Sequence, residues 1–308
     1  MIRSMIDTDV ASVADLALTT RLLEQGWEPQ LWSIAPTGRM AHQLVLEREL
    51  DLAGACGLVE TGKHGITAAI LAVDLEEVPS VAGGPVWAAD EFYVADQAEW
   101  PTTGRALLAA LAAKARSAQI GQVLVGCTSI DRPKSQMLAA SGLERCAWLR
   151  SKRVPIRGTT PPQGARALVE ADGLEVTALI ADAPRHRHSL PTPPRFDREG
   201  RLLPGGVVVD HGDGILGVAL VGPSITAPPG YNQTDQALLA DPVAMQSDEA
   251  WATEGAALLG ALEWLAASRG DDQVIVACGP GEPAKEHALR ERGYLTAVEW
   301  WRLDPRSG

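Results

Sequence analysis

The sequence lacks the cysteine patterns of a metal site or a disulfide framework. Its four cysteines are widely spaced over 308 residues and form no CxxC pair. Such spacing argues against a zinc site and against a small disulfide-stapled domain. We therefore expect no bound metal, and free thiols at Cys56, Cys127, Cys146 and Cys278.

Long hydrophobic runs and basic clusters are also missing. No stretch of about 18 apolar residues occurs, and the first segment, MIRSMIDTDV, has no apolar signal-peptide core. The formal net charge is −12, and no run of lysine or arginine reverses it locally, so a nucleic-acid backbone would be repelled. The sequence predicts a cytoplasmic protein without membrane or nucleic-acid partners.

What the sequence does contain is an internal repeat. The segments EWPTTGRALLAAL and AWATEGAALLGAL match when Trp100 is placed on Trp251. At the same shift QVLVGC falls on QVIVAC, and Gly142 falls on Gly293. A chance likeness between two amphipathic helices would not preserve the following strand, the next helix and its terminal glycine, so we interpret the chain as a duplicated domain.

Each half has the pattern strand, helix, hairpin, strand, helix, strand, helix, strand. The first helix opens at a capping aspartate and closes at Gly26. The segment RVPIRGTTPPQG, rich in proline and glycine, predicts a linker. We therefore predict domains at residues 1–153 and 164–308 with a linker at 154–163, and a hydrophobic fraction of 46% suffices for two cores.

Each half resembles the acyl-CoA-binding core of the GNAT acyltransferase superfamily. A strand ending at Val94 is followed by a turn, by Gly104 and by a helix, then by QVLVGC and a last helix closed by Gly142. Neither GxxxxGK[ST] nor GxGxxG occurs there, which argues against a P-loop or a dinucleotide fingerprint. The resemblance implies an α/β (α+β) fold of two tandem GNAT-like domains, each a mixed central sheet flanked by helices.

The resemblance also implies a loop for acetyl-CoA or another acyl-CoA as co-substrate. The family has a valine on its fourth strand, Gln or Arg five residues later, and a glycine-rich turn into the helix. Here Glu99 stands at the Gln/Arg position and Thr102 at the first glycine. The implied cofactor-binding residues of the first half are Val94, Glu99, Thr102, Thr103, Gly104 and Arg105.

The second half departs further from the family pattern. Its equivalent positions are Met245, Thr253 and Gly255, and Glu254 lies inside its loop. Carboxylates beside a phosphate oppose binding, and the positive end of a helix offsets only part of that. We expect the first half to bind acyl-CoA.

In the family an amine attacks the thioester, so a base must first deprotonate the amine. Asp90 and Glu91 precede Val94 on the same strand. Strand alternation predicts that only one of them faces the substrate, and Glu91 is the first choice; the alternative for either is a solvated strand-edge carboxylate. Backbone N–H groups near Val94 would stabilise the oxyanion.

The acid that protonates the leaving thiolate has no obvious candidate. The tyrosine that the family places four residues before the last helix's terminal glycine is Leu138 here, and Leu289 in the second half. Tyr93 is a possible substitute, with a core aromatic as the alternative role.

Three other residue pairs suggest sites. Cys127 and Cys278 match between the halves but have no positioned base, so buried strand-end side chains are expected. Lys134 and Lys285 also match, and either reach a phosphate or lie on a solvated helix face. His186 and His188, which lie among prolines, are interpreted as loop residues rather than metal ligands.

The sequence therefore predicts an acyl-CoA-dependent N-acyltransferase acting on a small-molecule amine, as a monomer or homodimer. The acidic chain favours a cationic acceptor. The alternative is a catalytically silent binding or sequestering protein that keeps the fold. A different enzyme on the same fold, such as an acyl-CoA decarboxylase, is the third hypothesis.

Overall fold

The computed structural model describes residues 1–29, 31–32, 34–75, 85–154, 160–182, 205–210, 212, 214–222 and 237–306. These form two compact units. Unit one takes the described residues up to Cys146 and those from Ala297 onwards, and unit two takes those from Ala147 to Thr296. The predicted domain limits differ from this division at the last strand of each half.

Twelve strands and seven α-helices are present in the described part of the chain. The strands are β1 (Ile2–Ser4), β2 (Cys56–Gly62), β3 (Gly65–Asp74), β4 (Val86–Val94), β5 (Gln122–Thr128), β6 (Glu144–Arg153), β7 (Ala165–Ala167), β8 (Gly206–Asp210), β9 (Ile215–Val221), β10 (Ala237–Met245), β11 (Gln273–Cys278) and β12 (Leu295–Leu303). The helices are α1 (Val10–Trp27), α2 (Gly38–Leu50), α3 (Arg105–Ser117), α4 (Arg132–Ala140), α5 (Gly173–Asp182), α6 (Asp248–Arg269) and α7 (Pro283–Glu291).

The two halves of the sequence exchange their final strands. In unit one the strand order is β1-β2-β3-β4-β5-β12, and in unit two it is β6-β11-β10-β9-β8-β7. β12 pairs with β5, and β6 pairs with β11, both antiparallel. Each sheet is mixed, because β4 runs parallel to β5 and β10 runs parallel to β11.

Helical periodicity positions the core of unit one. Leu107, Leu111 and Ala115 recur at four-residue spacing along α3 and are fully buried against one face of the sheet. Val13 and Ala17 of α1 bury the other face. The sheet of unit one is thus covered on both sides, as the resemblance implies.

Helix ends follow the predicted pattern in part. Gly142 and Gly293 adopt φ values of 81° and 82° just after α4 and α7, the left-handed conformation that glycine adopts without strain. Gly26 does not end α1, which continues to Trp27. No prediction anticipated α2, and this helix contributes to the candidate site.

The two halves match at the point where the two parallel strands of each half separate. The pairing of β4 with β5 ends at Ala89 and Val125, and the pairing of β10 with β11 ends at the equivalent Ala240 and Val276. Beyond these points the two strands of each pair have no ladder between them. Each half therefore has the opened strand end expected of its fold.

Some predictions fall outside the described residues. These include His186 and His188, and residues 155–159 of the predicted linker. Among the helices that are described, none is both long enough and apolar enough to span a bilayer.

Candidate active site

A β-bulge in β4 brings two adjacent carboxylates to the same side of the sheet. The register of β4 against β3 shifts by one residue between Ala88 and Glu91. Ala89 and Phe92 both pack into the core beneath α3, and a carboxylate oxygen of Asp90 lies within 4.8 Å of one from Glu91. The prediction that alternation separates Asp90 from Glu91 is wrong, because the bulge breaks the alternation.

Glu91 is buried and held in its ionised form. His42 Nε2 lies 2.8 Å from Glu91 Oε2, and the Tyr93 hydroxyl donates to the same oxygen at 2.5 Å. Burial alone would raise the pKa of Glu91, but the facing His42, Arg21 and Tyr93 outweigh it and hold the pKa at about 2. A carboxylate with so low a pKa is a weak base, which disfavours Glu91 as the proton acceptor.

Asp90 and Glu49 have the opposite character. The Asp90 side chain is exposed on one side. Desolvation by the protein around it and the charge of Glu91 nevertheless raise the pKa of Asp90 to about 6. Burial and the charges of Asp90 and Glu91 raise the pKa of Glu49 to about 8. Oxygens of all three carboxylates lie within 4.8 Å of one another. In this cluster, defined as Glu49, Asp90 and Glu91, Asp90 and Glu49 thus have pKa values close to neutral pH, whereas Glu91 stays ionised.

A buried ionic network supports the cluster from α1. Arg21 donates to Glu24 Oε2 at 2.7 Å and to the Tyr93 hydroxyl at 3.5 Å. Glu24 also accepts from the Thr128 hydroxyl on β5 at 2.9 Å. Buried networks of hydrogen bonds and charges fix side-chain positions in a low-dielectric interior. Tyr93 is thereby committed to Glu91, and burial together with the Glu91 charge raises its pKa well above 10, which disfavours Tyr93 as the leaving-group acid.

The helical members of this site were not predicted from the sequence. His42 and Glu49 lie seven residues apart on α2, on the same face as the buried Leu46. Arg21 and Glu24 likewise lie on the buried face of α1. Charged residues placed on an otherwise apolar helix face were the available signal, because buried charges need partners.

Lys134 of α4 lies in the interior of unit one. Its side chain is 6% exposed, and Nζ donates to the Phe92 carbonyl at 3.0 Å. The ammonium also lies 5.2 Å from the centre of the Phe92 ring and 5.4 Å from that of Trp100. The solvated-face interpretation of Lys134 is wrong.

The predicted cofactor loop of unit one is an irregular helix start. A 3-10 turn covers Gln97–Glu99 and a π-helical turn covers Trp100–Gly104 before α3 begins. The Thr102 hydroxyl donates to Glu99 Oε2 at 2.7 Å, and the Thr103 hydroxyl donates to the same atom at 3.4 Å. The hydroxyls predicted to hold a phosphate thus hold a carboxylate of the same loop.

Gly104 has a packing role that the sequence did not reveal. A Cβ atom added to Gly104 would lie 2.4 Å from Cε3 of Trp100, so the fully buried indole occupies the space that the glycine leaves. Val94 is also buried, in the core beneath α3. Arg105 is exposed and lines a cavity of about 820 Å³ beside α3, together with Arg116 and Arg302.

The equivalent loop of unit two is closed into a regular helix. α6 starts at Asp248, where the Ser247 hydroxyl caps it by accepting from the Ala250 N–H at 3.1 Å. Thr253 lies within this helix, and its hydroxyl bonds the Glu249 carbonyl at 3.2 Å. A Cβ on Gly255 would lie 2.9 Å from Trp251. The glycine and tryptophan are thus preserved, but the irregular turn is not.

The remaining second-half positions also differ. Met245 is buried against the place where Gly217 lacks a side chain. Lys285 is 3% exposed, like Lys134, but its Nζ pairs with both oxygens of Glu282 at 3.1 and 3.3 Å. Asp90 has the counterpart Asp241, and Glu91 has Pro242. The described part of unit two has no carboxylate cluster like that of unit one.

The thiol and leucine positions behave as structural groups. Cys127 and Cys278 are buried free thiols, and burial raises the pKa of both, that of Cys278 to about 12. Neither is a ready nucleophile. Leu138 and Leu289 are fully buried core residues.

Comparisons identify the fold. No protein-family model and no curated protein matches the sequence. A GCN5-related N-acetyltransferase from Sphaerobacter thermophilus superposes on 100% of this chain and 96% of its own, with a TM-score of 0.59 and 16% identity. A tandem GNAT protein from the clavulanic acid biosynthesis pathway covers 100% and 99%, with a TM-score of 0.50 and 16% identity.

A third structure, a GCN5-related glucosamine N-acetyltransferase region in a fungal multi-domain GH3 β-N-acetylglucosaminidase, covers 98% of this chain and 38% of its own, with a TM-score of 0.60 and 10% identity. At these identities the likeness concerns the fold. The chain has the tandem GNAT fold, with a mixed sheet and flanking helices in each unit, as the resemblance implied.

Proposed function

We propose that this protein is an acyl-CoA-dependent N-acyltransferase that acts on a small-molecule amine, with unit one as the catalytic unit. The observation that carries the proposal is the carboxylate cluster at the point where β4 and β5 part, with pKa values of about 6 for Asp90 and about 8 for Glu49. Groups poised near neutral pH suit proton transfer.

Asp90 is the proposed base. Its pKa of about 6 leaves it ionised at pH 7, so it accepts a proton from the acceptor's ammonium group. Glu91 keeps its charge next to Asp90 and, through His42 and Tyr93, keeps a fixed position. Glu91 is thus a positioning residue in this proposal, and Glu49 provides a second oxygen for a cationic acceptor.

The acyl donor is proposed to bind along the open edge of β4 and at the start of α3. A thioester supplies an acyl carbon that an amine attacks directly. Thr102 and Thr103 would supply hydroxyl donors to an anion seat at this helix start, where their present partner, the Glu99 carboxylate, opposes a phosphate. Val94, Gly104 and Arg105 would border that seat, Gly104 indirectly through Trp100.

The test of this proposal is an acyl-transfer assay with acetyl-CoA and a panel of amines. The release of free thiol from acetyl-CoA measures the rate. We expect kcat/KM to rise with pH through about 6 as Asp90 loses its proton. Diamines and other cationic acceptors are the first compounds to try, because the cluster is acidic. A protein that neither binds acetyl-CoA nor releases thiol with any amine contradicts the proposal.

The second candidate function is a catalytically silent binding protein of the same fold. The observation that favours it is Glu99, whose carboxylate lies on the threonine hydroxyls that would otherwise meet a phosphate. A silent protein would bind the amine without acyl-CoA. Calorimetry with each ligand separately distinguishes the two functions.

A further inference from the structure

The buried ammonium of Lys134 has one oxygen partner where it could have three. Among the described residues its Nζ bonds only the Phe92 carbonyl, at 3.0 Å, and its other contacts are the ring faces of Phe92 and Trp100. An ammonium group has three donors. Burying a charge without a counter-ion is costly, so such groups are found where a charge is needed.

The ammonium lies on the stretch of β4 that has no β5 partner. Phe92 is two residues beyond Asp90 and three beyond Ala89, where the ladder to β5 ends. Lys134 is also the third residue of α4, so the positive end of that helix adds to its charge. Both features favour a negative charge at this place.

The nearby acidic groups do not neutralise Lys134. Asp131 accepts from the Lys134 backbone N–H at 3.0 Å rather than from Nζ. The charge of Lys134 opposes the rise that burial imposes on the pKa of Asp90, Asp131 and Cys127. It is therefore felt throughout the opened strand end without forming an ion pair there.

We propose that Lys134 is a catalytic residue that stabilises the negative charge on the sulfur of the leaving thiolate. The proposal rests on the function proposed above. It fills the gap left by Leu138, which lies one helical turn further along α4 and has no polar group. Lys134 would thus act electrostatically where a proton donor is missing.

The reaction step balances without a further reactant. Asp90 takes one proton from the acceptor's ammonium, the nitrogen–carbon bond forms, and the carbon–sulfur bond breaks with its electron pair on sulfur. The thiolate leaves beside the Lys134 ammonium and takes a proton from water. The new amide nitrogen releases its extra proton to water.

Lys285 provides a matched control. It occupies the equivalent position in unit two and is also buried, but Glu282 neutralises it. An ammonium group that is already paired with a carboxylate would stabilise a thiolate only weakly. The same substitution at the two lysines therefore separates the proposed role from the general effect of removing a buried lysine.

The test is a spectroscopic titration of the thiol of coenzyme A bound to wild-type protein, K134M, K134R and K285M. We expect the bound thiol to titrate about one pH unit below its ordinary value near 8.5 in wild type, K134R and K285M, and at its ordinary value in K134M. With acetyl-CoA, K134M should lower kcat about 10- to 100-fold and leave KM within about twofold. Melting temperatures establish that each variant is folded.

The outcomes separate the two proposals. If wild type binds coenzyme A with an unshifted thiol, or if K134M keeps full kcat, the role of Lys134 is wrong and the acyltransferase proposal stands. If K134M binds coenzyme A more tightly with no loss of kcat, Lys134 merely fills the cleft. If wild type binds no coenzyme A, both proposals fail.

Discussion

The two halves of this protein keep the same scaffold contacts and differ in their polar chemistry. Arg3 holds Asp9 at 2.6 and 2.8 Å, and Arg166 holds Asp172 at 2.7 and 2.8 Å. By contrast, Lys134 points to the opened strand end, whereas Lys285 is paired with Glu282. Contacts found in both halves support the fold, and those found in one half identify the candidate site.

The same distinction applies to the loop before the third helix of each half. Each half packs a tryptophan against a glycine four residues later. Only unit one combines this pair with a 3-10 turn and a π-helical turn, whereas unit two has a capped regular helix. A glycine that looks like a cofactor-binding residue in sequence is thus a shared packing residue.

The largest expected effect comes from removing the proposed base. D90N should lower kcat/KM about 10²- to 10⁴-fold and abolish the rise in rate through pH 6. D241N, at the equivalent position of unit two, should change kcat/KM less than about twofold. Steady-state kinetics over pH 5–9 measure both. Equal losses in the two variants would show that the halves share the chemistry.

Among the contacts of unit one, the buried bond between His42 and Glu91 should contribute most to the free energy of unfolding. H42A removes the imidazole that bonds the buried Glu91 carboxylate, and leaving a buried charged acceptor without that partner costs about 3 kcal/mol. Urea unfolding measures the loss. The double variant H42L/E91L removes both polar groups and should recover most of it. A single variant as stable as wild type would mean that the pair is not formed.

The glycine–tryptophan contact should matter in both halves. G104A puts a methyl group 2.4 Å from Trp100 and should lower the free energy of unfolding by about 1–3 kcal/mol. G255A, where the distance to Trp251 is 2.9 Å, should cost less. Thermal unfolding of the two variants measures this order. A loss of acyl-CoA affinity in G104A without any loss of stability would instead favour a direct role for Gly104.

The smallest expected effect concerns Glu99. E99Q removes a carboxylate from the threonine hydroxyls and should raise the affinity for coenzyme A about tenfold, because a nearby negative charge opposes phosphate binding. E249Q removes a carboxylate from the start of α6 in unit two and should have no effect. Calorimetric titration compares the two. Unchanged affinity in E99Q would show that Glu99 turns away when the ligand binds.

The repeat made the fold predictable, but not the geometry of the site. The matching segments around Trp100 and Trp251 predicted the duplication. Asp90 and Glu91 were both predicted as candidate bases because they precede Val94 on the same strand, with Glu91 as the first choice. The bulge that turns Asp90 and Glu91 to one side depends on pairing with β3, which the order of residues on one strand does not reveal.

The partners of the site could not be predicted because they come from distant helices. His42 reaches Glu91 across 49 residues, and Thr128 reaches Glu24 across 104. The exchange of β6 and β12 was not predicted either, because the residue pattern of a strand does not specify which neighbouring strand it pairs with. Local periodicity identifies elements, whereas these contacts depend on how the elements are arranged.

The proposed asymmetry places the chemistry in one half of the chain. Calorimetric titration of the wild-type protein with acetyl-CoA is the decisive experiment, because the heat per injection gives the number of sites as well as the affinity. We expect one site per chain, with a higher affinity in E99Q and an unchanged affinity in E249Q. Two equivalent sites would contradict the asymmetry between the halves, and no site at all would contradict the acyl-CoA reaction.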